Sequence, residues 1–209
     1  MLCVTMRDIS LTATGLATRE SIIENAETLL LRYGPTKTTV ADVARVSGMS
    51  PANIYKFFSS KDDLIEAVGE RFFAGLRSDI TKITQSKGSA WHKIEMIIWK
   101  YHSALRRRLE NEPHLLEVVA LVHEKKLMFV TNFNSFVVAC ITRIIEQGIE
   151  TKEFRPLDSV VSAQAIMDCV AFATHPIFIG DFSAKEHERR VTAQLSLLAR
   201  AVSLQRDAV

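Results

Sequence analysis

Between Val46 and Phe58 the chain reads VSGMSPANIYKFF. The side chains there that can do chemistry do it by contact and not by making bonds. Pro51 and Ala52 are small enough for a backbone to approach base edges. Asn53 can donate and accept, so it can pair with adenine or bond a phosphate. Tyr55 and Lys56 can reach phosphate oxygens. Thr38, Thr39, Arg45, Ser50 and Lys61 fall at neighbouring helix ends, where free backbone N–H groups and the helix dipole also favour phosphate. Arg19 completes the set. No comparable set exists for catalysis. The 6 histidines (His92, His102, His114, His123, His175, His187) form no HExxH pair, and there is no glycine-rich phosphate loop or nucleophile elbow. The 3 cysteines, Cys3, Cys140 and Cys169, lack metal-ligand spacing and read as reduced thiols. The expectation is no catalytic residue, no metal and no cofactor.

Such a contact face needs short helices behind it. From Thr18, a natural N-cap, the apolar positions Ile22, Ile23, Ala26, Leu29, Leu30 and Tyr33 keep a helical rhythm until Gly34 and Pro35 close it. Thr39 with Asp42 is a capping-box variant opening a helix over 40–47 that buries Val40, Val43 and Ala44. Gly48 supplies a left-handed turn. Ser50 then caps a helix over 51–57 with Pro51 at the tolerated first position, and its inner face is Ile54, Phe57 and Phe58. A short helix, a glycine turn and a second short helix make a helix-turn-helix. The second helix is narrow enough for a DNA major groove, about 12 Å wide.

Longer helices follow over 61–85, 90–111, 113–123, 125–149, 159–174 and 184–204, with breaks between them, and no strand-like alternation persists. The fold class is all-α: an N-terminal three-helix helix-turn-helix DNA-binding domain followed by a larger helical ligand-binding and dimerisation domain. We place a flexible N-terminal arm at 1–17, the DNA-binding domain at 18–68 and the effector-binding and dimerisation domain at 69–209. The net charge is only +2. Residues 18–62 hold six Lys/Arg against five Asp/Glu, so any attraction to DNA rests on position and not on bulk charge. No window of 18 apolar residues points to a membrane span, and a cytoplasmic location is expected.

The run TTVADVARVSGMSPANIYKFFSSKDDLIEAV, with TRESIIENAETLLLRYG before it, resembles the N-terminal domain of the tetracycline-repressor (TetR) family of bacterial regulators. Thr38-Thr39-Val40, Asp42-Val43-Ala44, Gly48, Ile54-Tyr55, Phe58, Ser60-Lys61 and Leu64 carry the likeness. The resemblance implies a homodimer on a palindromic double-stranded DNA operator, with bases read near Pro51, Ala52 and Asn53 and phosphates met by Thr38, Tyr55, Lys56 and Lys61. Asn53 and Lys56 depart from the residues that the family often has there, which leaves the operator sequence open.

A regulator needs an input. Most of the aromatic and methionine stripes beyond residue 90 read as core. Trp99, His102, His123, Met128, Phe133, Met167 and Phe172 are the candidates for an apolar pocket with a few polar points, suited to a small, hydrophobic effector. For the dimer interface the apolar faces of the last two long helices supply Val160, Val161, Ala163, Val191, Leu195 and Leu198. Two recognition helices must sit about 34–36 Å apart to reach successive major grooves, so dimerisation is required physically. The rival readings are an enzyme and an all-helical module that docks protein. Salt separates the last of these from a DNA binder, because phosphate contacts weaken steeply with ionic strength.

Overall fold

The computed structural model describes residues 12–204. Among them eleven helices follow one another: α1 (Ala13–Tyr33), α2 (Val40–Val46), α3 (Pro51–Ile54), α4 (Lys61–Gln85), α5 (Ala90–Asn111), α6 (Leu115–Lys125), α7 (Phe129–Glu150), α8 (Ser159–Cys169), α9 (Ala171–Thr174), α10 (Pro176–Gly180) and α11 (Ala184–Val202). The fold is all-α. The sole β-pairing among the described residues is an isolated bridge between Phe154 and Ser203.

Two buried clusters organise these helices. The smaller contains Ile22, Ile23, Ala26, Leu29 and Leu30 of α1, Val40, Val43 and Ala44 of α2, Ile54 and Phe58 around α3, and Leu64, Ile65, Ala67 and Val68 of α4. The larger runs from Phe73 of α4 through α5, α7 and α8 to Val202 of α11. Only α4 contributes buried residues to both. Its 25 residues make it a rod of roughly 37 Å at 1.5 Å per residue.

The starts of α2, α3 and α4 behave as their capping residues dictate. Thr39 accepts from the Asp42 N–H at 3.1 Å while the Asp42 carboxylate accepts from the Thr39 N–H at 3.0 Å. Ser50 and Ser60 accept from the N–H groups of Asn53 and Asp63. Gly48 sits at φ 67°, the left-handed turn for which it was chosen.

Several boundaries differ from the sequence-based expectation. α1 begins at Ala13, capped by Thr12, whose hydroxyl accepts from the Gly15 N–H. Thr18 is not the cap. Its hydroxyl donates to the Thr14 carbonyl inside the helix, so residues 12–17 are not an arm. The rest of the expected arm, 1–11, lies outside the described residues. α3 proper is four residues, and 55–57 continue as a turn in which Lys56 and Phe57 bond to carbonyls three residues back. The expected helix over 159–174 divides at Val170, and 176–180, read as a break, form α10 with Pro176 in the first turn, where its missing N–H costs nothing. α7 has the length and composition of a membrane span, where none was expected, yet Phe133, Val137, Ile141, Ile144 and Ile145 pack into the larger core.

One loop side chain fixes the start of α5. Glu153 accepts from the Ala90 N–H (2.7 Å), the Trp91 N–H (2.9 Å) and the Ser89 hydroxyl (2.8 Å). Burial alone would push this carboxyl up, but the two backbone bonds and the hydroxyl outweigh it and hold Glu153 below the usual range.

Candidate nucleic-acid interface and effector cavity

α3 is pinned from beneath. Ile54 and Phe58 are each 1% exposed, while Pro51, Ala52, Asn53, Tyr55 and Lys56 all face solvent. Tyr55 is 54% exposed, a large fraction for an aromatic with no role in packing. The result is a short helix with a shallow front (Pro51, Ala52, Asn53) and hydrogen-bonding or cationic groups at its edge. Phe57, expected on the inner face, is half-buried.

The flanking candidates divide. Thr39 is exposed but its hydroxyl donates to Asp42 Oδ2 at 2.6 Å, and Arg45 is exposed and paired with Asp42 at 2.9 Å. The hydrogen bonds from Thr39, and after them Arg45, hold the Asp42 carboxyl at about 2. Ser50 is exposed and serves as the cap of α3. Thr38 is corrected: it is 4% exposed, and its hydroxyl donates to the carbonyls of Gly34 (2.8 Å) and Leu29 (3.2 Å), so its side chain is committed to closing α1. Lys61 is half-buried with its ammonium on the Pro35 carbonyl. Arg19 lies with its guanidinium 5.0 Å from the Phe58 ring centroid, beside the base of the recognition helix.

A second site lies inside. A cavity of about 700 Å³ is walled by Leu30 and Leu31 of α1, Ile65, Val68, Gly69, Phe72 and Phe73 of α4, Tyr101, Leu105 and Arg108 of α5, Val118, Val119 and Val122 of α6, and residues of α7, α8 and the α9–α10 junction. That volume lies in the range of drug-sized ligand sites. Of the expected pocket residues, His123, Met128 and Met167 line it. Trp99, His102, Phe133 and Phe172 do not. Phe133 is fully buried and stacked on Phe73, with ring centroids 4.1 Å apart. His102 bonds the Ala173 carbonyl through Nδ1 (2.9 Å) and stacks on His187, whose Nε2 bonds the Phe172 carbonyl (2.9 Å). Trp99 packs edge-on against His102. Trp99, His102 and Phe172, with His187, tie α5, α9 and α11 together, while Phe133 joins α7 to α4.

The polar groups of the cavity include Tyr101, whose hydroxyl donates to Asn134 Oδ1 at 3.1 Å, together with His123, His175, Lys126, Asp168 and Arg108. Burial pushes the Tyr101 hydroxyl up and the His175 imidazole down, with His123 adding to the second shift. Sequence reasoning named His123 of α6 but missed Arg108 and the α6 residues Val118, Val119 and Val122. One signal existed for Arg108. It continues the buried stripe Ile94, Ile98, Tyr101, Leu105 by one more step of three, which places a cation where the pattern calls for an apolar residue.

The proposed dimer face also divides. Val160 and Val161 are 60% and 64% exposed, as is Leu197 at 64%, which the sequence did not single out. Leu198 is half-buried against the larger core. Ala163, Val191 and Leu195 are corrected: at 0%, 0% and 1% exposure they are consumed inside the protomer, because α8 and α11 each turn one apolar stripe inward.

A helix-turn-helix with an exposed recognition face, joined by one long helix to a helical domain around an apolar cavity, defines a ligand-responsive transcriptional regulator. Comparison with known proteins gives the family. The model described as bacterial regulatory proteins, tetR family, matches residues 22–68, and that described as tetracyclin repressor-like, C-terminal domain, matches residues 90–193. The chain belongs to the TetR family, whose members are DNA-binding regulators and not enzymes. It is 27% identical over 146 residues to YfiR of Bacillus subtilis (strain 168), an uncharacterized HTH-type transcriptional regulator, a match spanning 68% of this chain and 70% of that one. Among solved structures, a transcriptional regulator from Cytophaga hutchinsonii ATCC 33406 superposes with a TM-score of 0.68 at 25% identity, covering 88% of this chain and 98% of that one. The FadR regulator of Bacillus subtilis in complex with stearoyl-CoA gives 0.65 at 17% identity, covering 86% and 97%.

Proposed function

We propose that the protein is a cytoplasmic repressor that binds a palindromic operator as a homodimer and leaves it when a small hydrophobic effector fills the cavity. In this reading residues 18–68 hold the DNA-contacting domain and 69–209 the effector and dimer domain. Pro51, Ala52 and Asn53 meet base edges, while Tyr55, Lys56, Arg45, Arg19 and the N-terminal N–H groups around Thr39 and Lys61 meet phosphates. Val160, Val161, Leu197 and Leu198 form the centre of the face between protomers.

The observation that carries the reading is a shared wall. Ile65 and Val68 belong to the core that props α3, and they also line the cavity. An occupant therefore presses on the same helix that sets the position of the recognition face. It changes operator affinity only by the difference in its own affinity for the two positions of α4. Selection of bound duplexes from a random pool tests the proposal. Enriched sequences are expected to be inverted repeats with half-site centres about 34–36 Å apart, and affinity is expected to fall steeply with salt. Enrichment of single, unrepeated sites, or a monomer by sedimentation at micromolar concentration, would overturn the dimeric part.

A further inference from the structure

Arg108 is the cation that the apolar stripe of α5 carries into the cavity wall, and its surroundings are unusual. Its Cζ lies 4.0 Å from the Phe72 ring centroid, so the guanidinium sits over an aromatic face. Nε pairs with Glu112 Oε1 at 3.1 Å. Nη2 pairs with Glu27 of α1. Nη1 has no hydrogen-bond partner among the described residues. A planar fork is thus anchored at Nε by Glu112, occupied at Nη2 by Glu27 and open at Nη1. Glu27 has a second partner in Arg71, whose Nε is 3.4 Å away. It can leave Arg108 without losing all compensation.

We propose that the effector is an anionic amphiphile, an elongated apolar molecule ending in a carboxylate or a similar oxyanion, whose head takes the Nη1–Nη2 edge of Arg108. Two parallel N–H···O bonds suit that edge, because guanidinium and carboxylate forks match in geometry. The tail lies along Phe72, Leu105, Val118 and Val122. Taking Nη2 removes Glu27 from Arg108, and with it the ion pair that, among the described residues, joins α5 to α1 of the DNA-binding half. The head of the ligand, not only its bulk, then loosens the helix-turn-helix. This rests on the cavity being the effector site.

Calorimetric titration of the full-length protein with laurate and with dodecanol tests both layers. Laurate is expected to bind about tenfold more tightly than dodecanol, the margin of one charge-assisted fork. In Arg108→Gln that ratio falls to about one while dodecanol affinity holds. In Glu27→Gln laurate binds more tightly still, because its competitor for Nη2 is weakened, and dodecanol is unchanged. Lys126→Gln, which removes the other cavity cation, leaves the ratio intact. Equal binding of laurate and dodecanol by the unaltered protein overturns the head-group proposal and leaves the cavity standing as the effector site. Binding of neither overturns both. A preference for laurate that survives Arg108→Gln and disappears in Lys126→Gln places the head at Lys126 and also overturns it.

Discussion

The two halves of the molecule keep their function on opposite sides of their packing. In the DNA-binding half, Ile54 and Phe58 close a small core and the residues proposed to meet DNA stand outside it. In the larger half, Leu30, Ile65, Phe72, Val118 and Val122 enclose the cavity, and the proposed contact surface is what the core fails to fill. The first arrangement makes recognition insensitive to interior detail as long as α3 is held. The second makes recognition a property of the interior itself. α6 shows the contrast in one helix: of its 11 residues only Leu115 is buried, and Val118, Val119 and Val122 line the cavity.

The sharpest way to break the comparison is to damage one core and watch the other. Ile54→Ala leaves a void beneath α3 and is expected to cost about 3 kcal/mol. Both tryptophans, Trp91 and Trp99, lie in the larger half, so their fluorescence reports that half alone. Urea unfolding followed by operator binding is expected to move to a lower midpoint while the fluorescence midpoint stays put. A joint shift would mean that α4 welds the two cores into one cooperative unit.

Changing the outer surface should do the reverse. Tyr55→Ala with Lys56→Ala is expected to weaken operator binding about thirtyfold, or about 2 kcal/mol, and to flatten its salt dependence. Stability should stay within about 0.5 kcal/mol of the parent, since both side chains are exposed. Undiminished grip on the operator by this double variant would remove Tyr55 and Lys56 from the interface.

Glu153→Ala removes the acceptor of three hydrogen bonds at the head of α5 and is expected to cost the larger half about 1.5 kcal/mol. The pH dependence has a definite sign. The folded carboxyl sits below its ordinary value, so its contribution is present above the unfolded value of about 4.3 and is lost as pH falls through the folded one. Thermal melts of the parent and of Glu153→Gln should therefore differ at pH 7 and converge in acid.

The same division explains what the sequence could reveal. Thr39, Asp42, Gly48, Ser50 and Pro51 act within a few residues of themselves, so the turns they make and the face they expose are local facts. Thr38 was misjudged because its hydroxyl reaches back to Leu29 and Gly34 across a loop whose closure the sequence does not specify. Four of the seven expected pocket residues fell outside the cavity for a deeper reason. Helical periodicity tells which side of α5, α6 or α7 is apolar, but not whether a neighbour arrives to cover it. Phe133 and Val118 carry the same signal, yet one meets Phe73 and the other faces the cavity. Ala163, Val191 and Leu195 failed in the opposite direction: an apolar stripe proposed for a partner copy was already claimed inside the chain.

Histidine gives the mildest and most selective probe of the difference. Residues 18–68 contain none, so the chain's 6 all lie beyond the DNA-binding half. His102, His187 and His175 are pushed below their ordinary values, in each case chiefly by burial. His102 and His187 also stack ring on ring, and Arg106 disfavours a charge on either. Such groups are kept neutral by folding. Between their folded values and about 6.5 the unfolded chain binds more protons, so stability is full above about pH 6.5 and declines as the pH falls below it. Lowering the pH from 7 to 5.5 is expected to reduce the stability of the larger half by about 1 kcal/mol, seen as an earlier fluorescence melt. The operator-binding midpoint, which depends on a core without histidine, should hardly move. His187→Gln keeps a donor for the Phe172 carbonyl but does not titrate, and it should flatten part of the acid decline. If the fluorescence melt of this variant falls with pH as steeply as the parent's, the stacked pair is not what senses the proton.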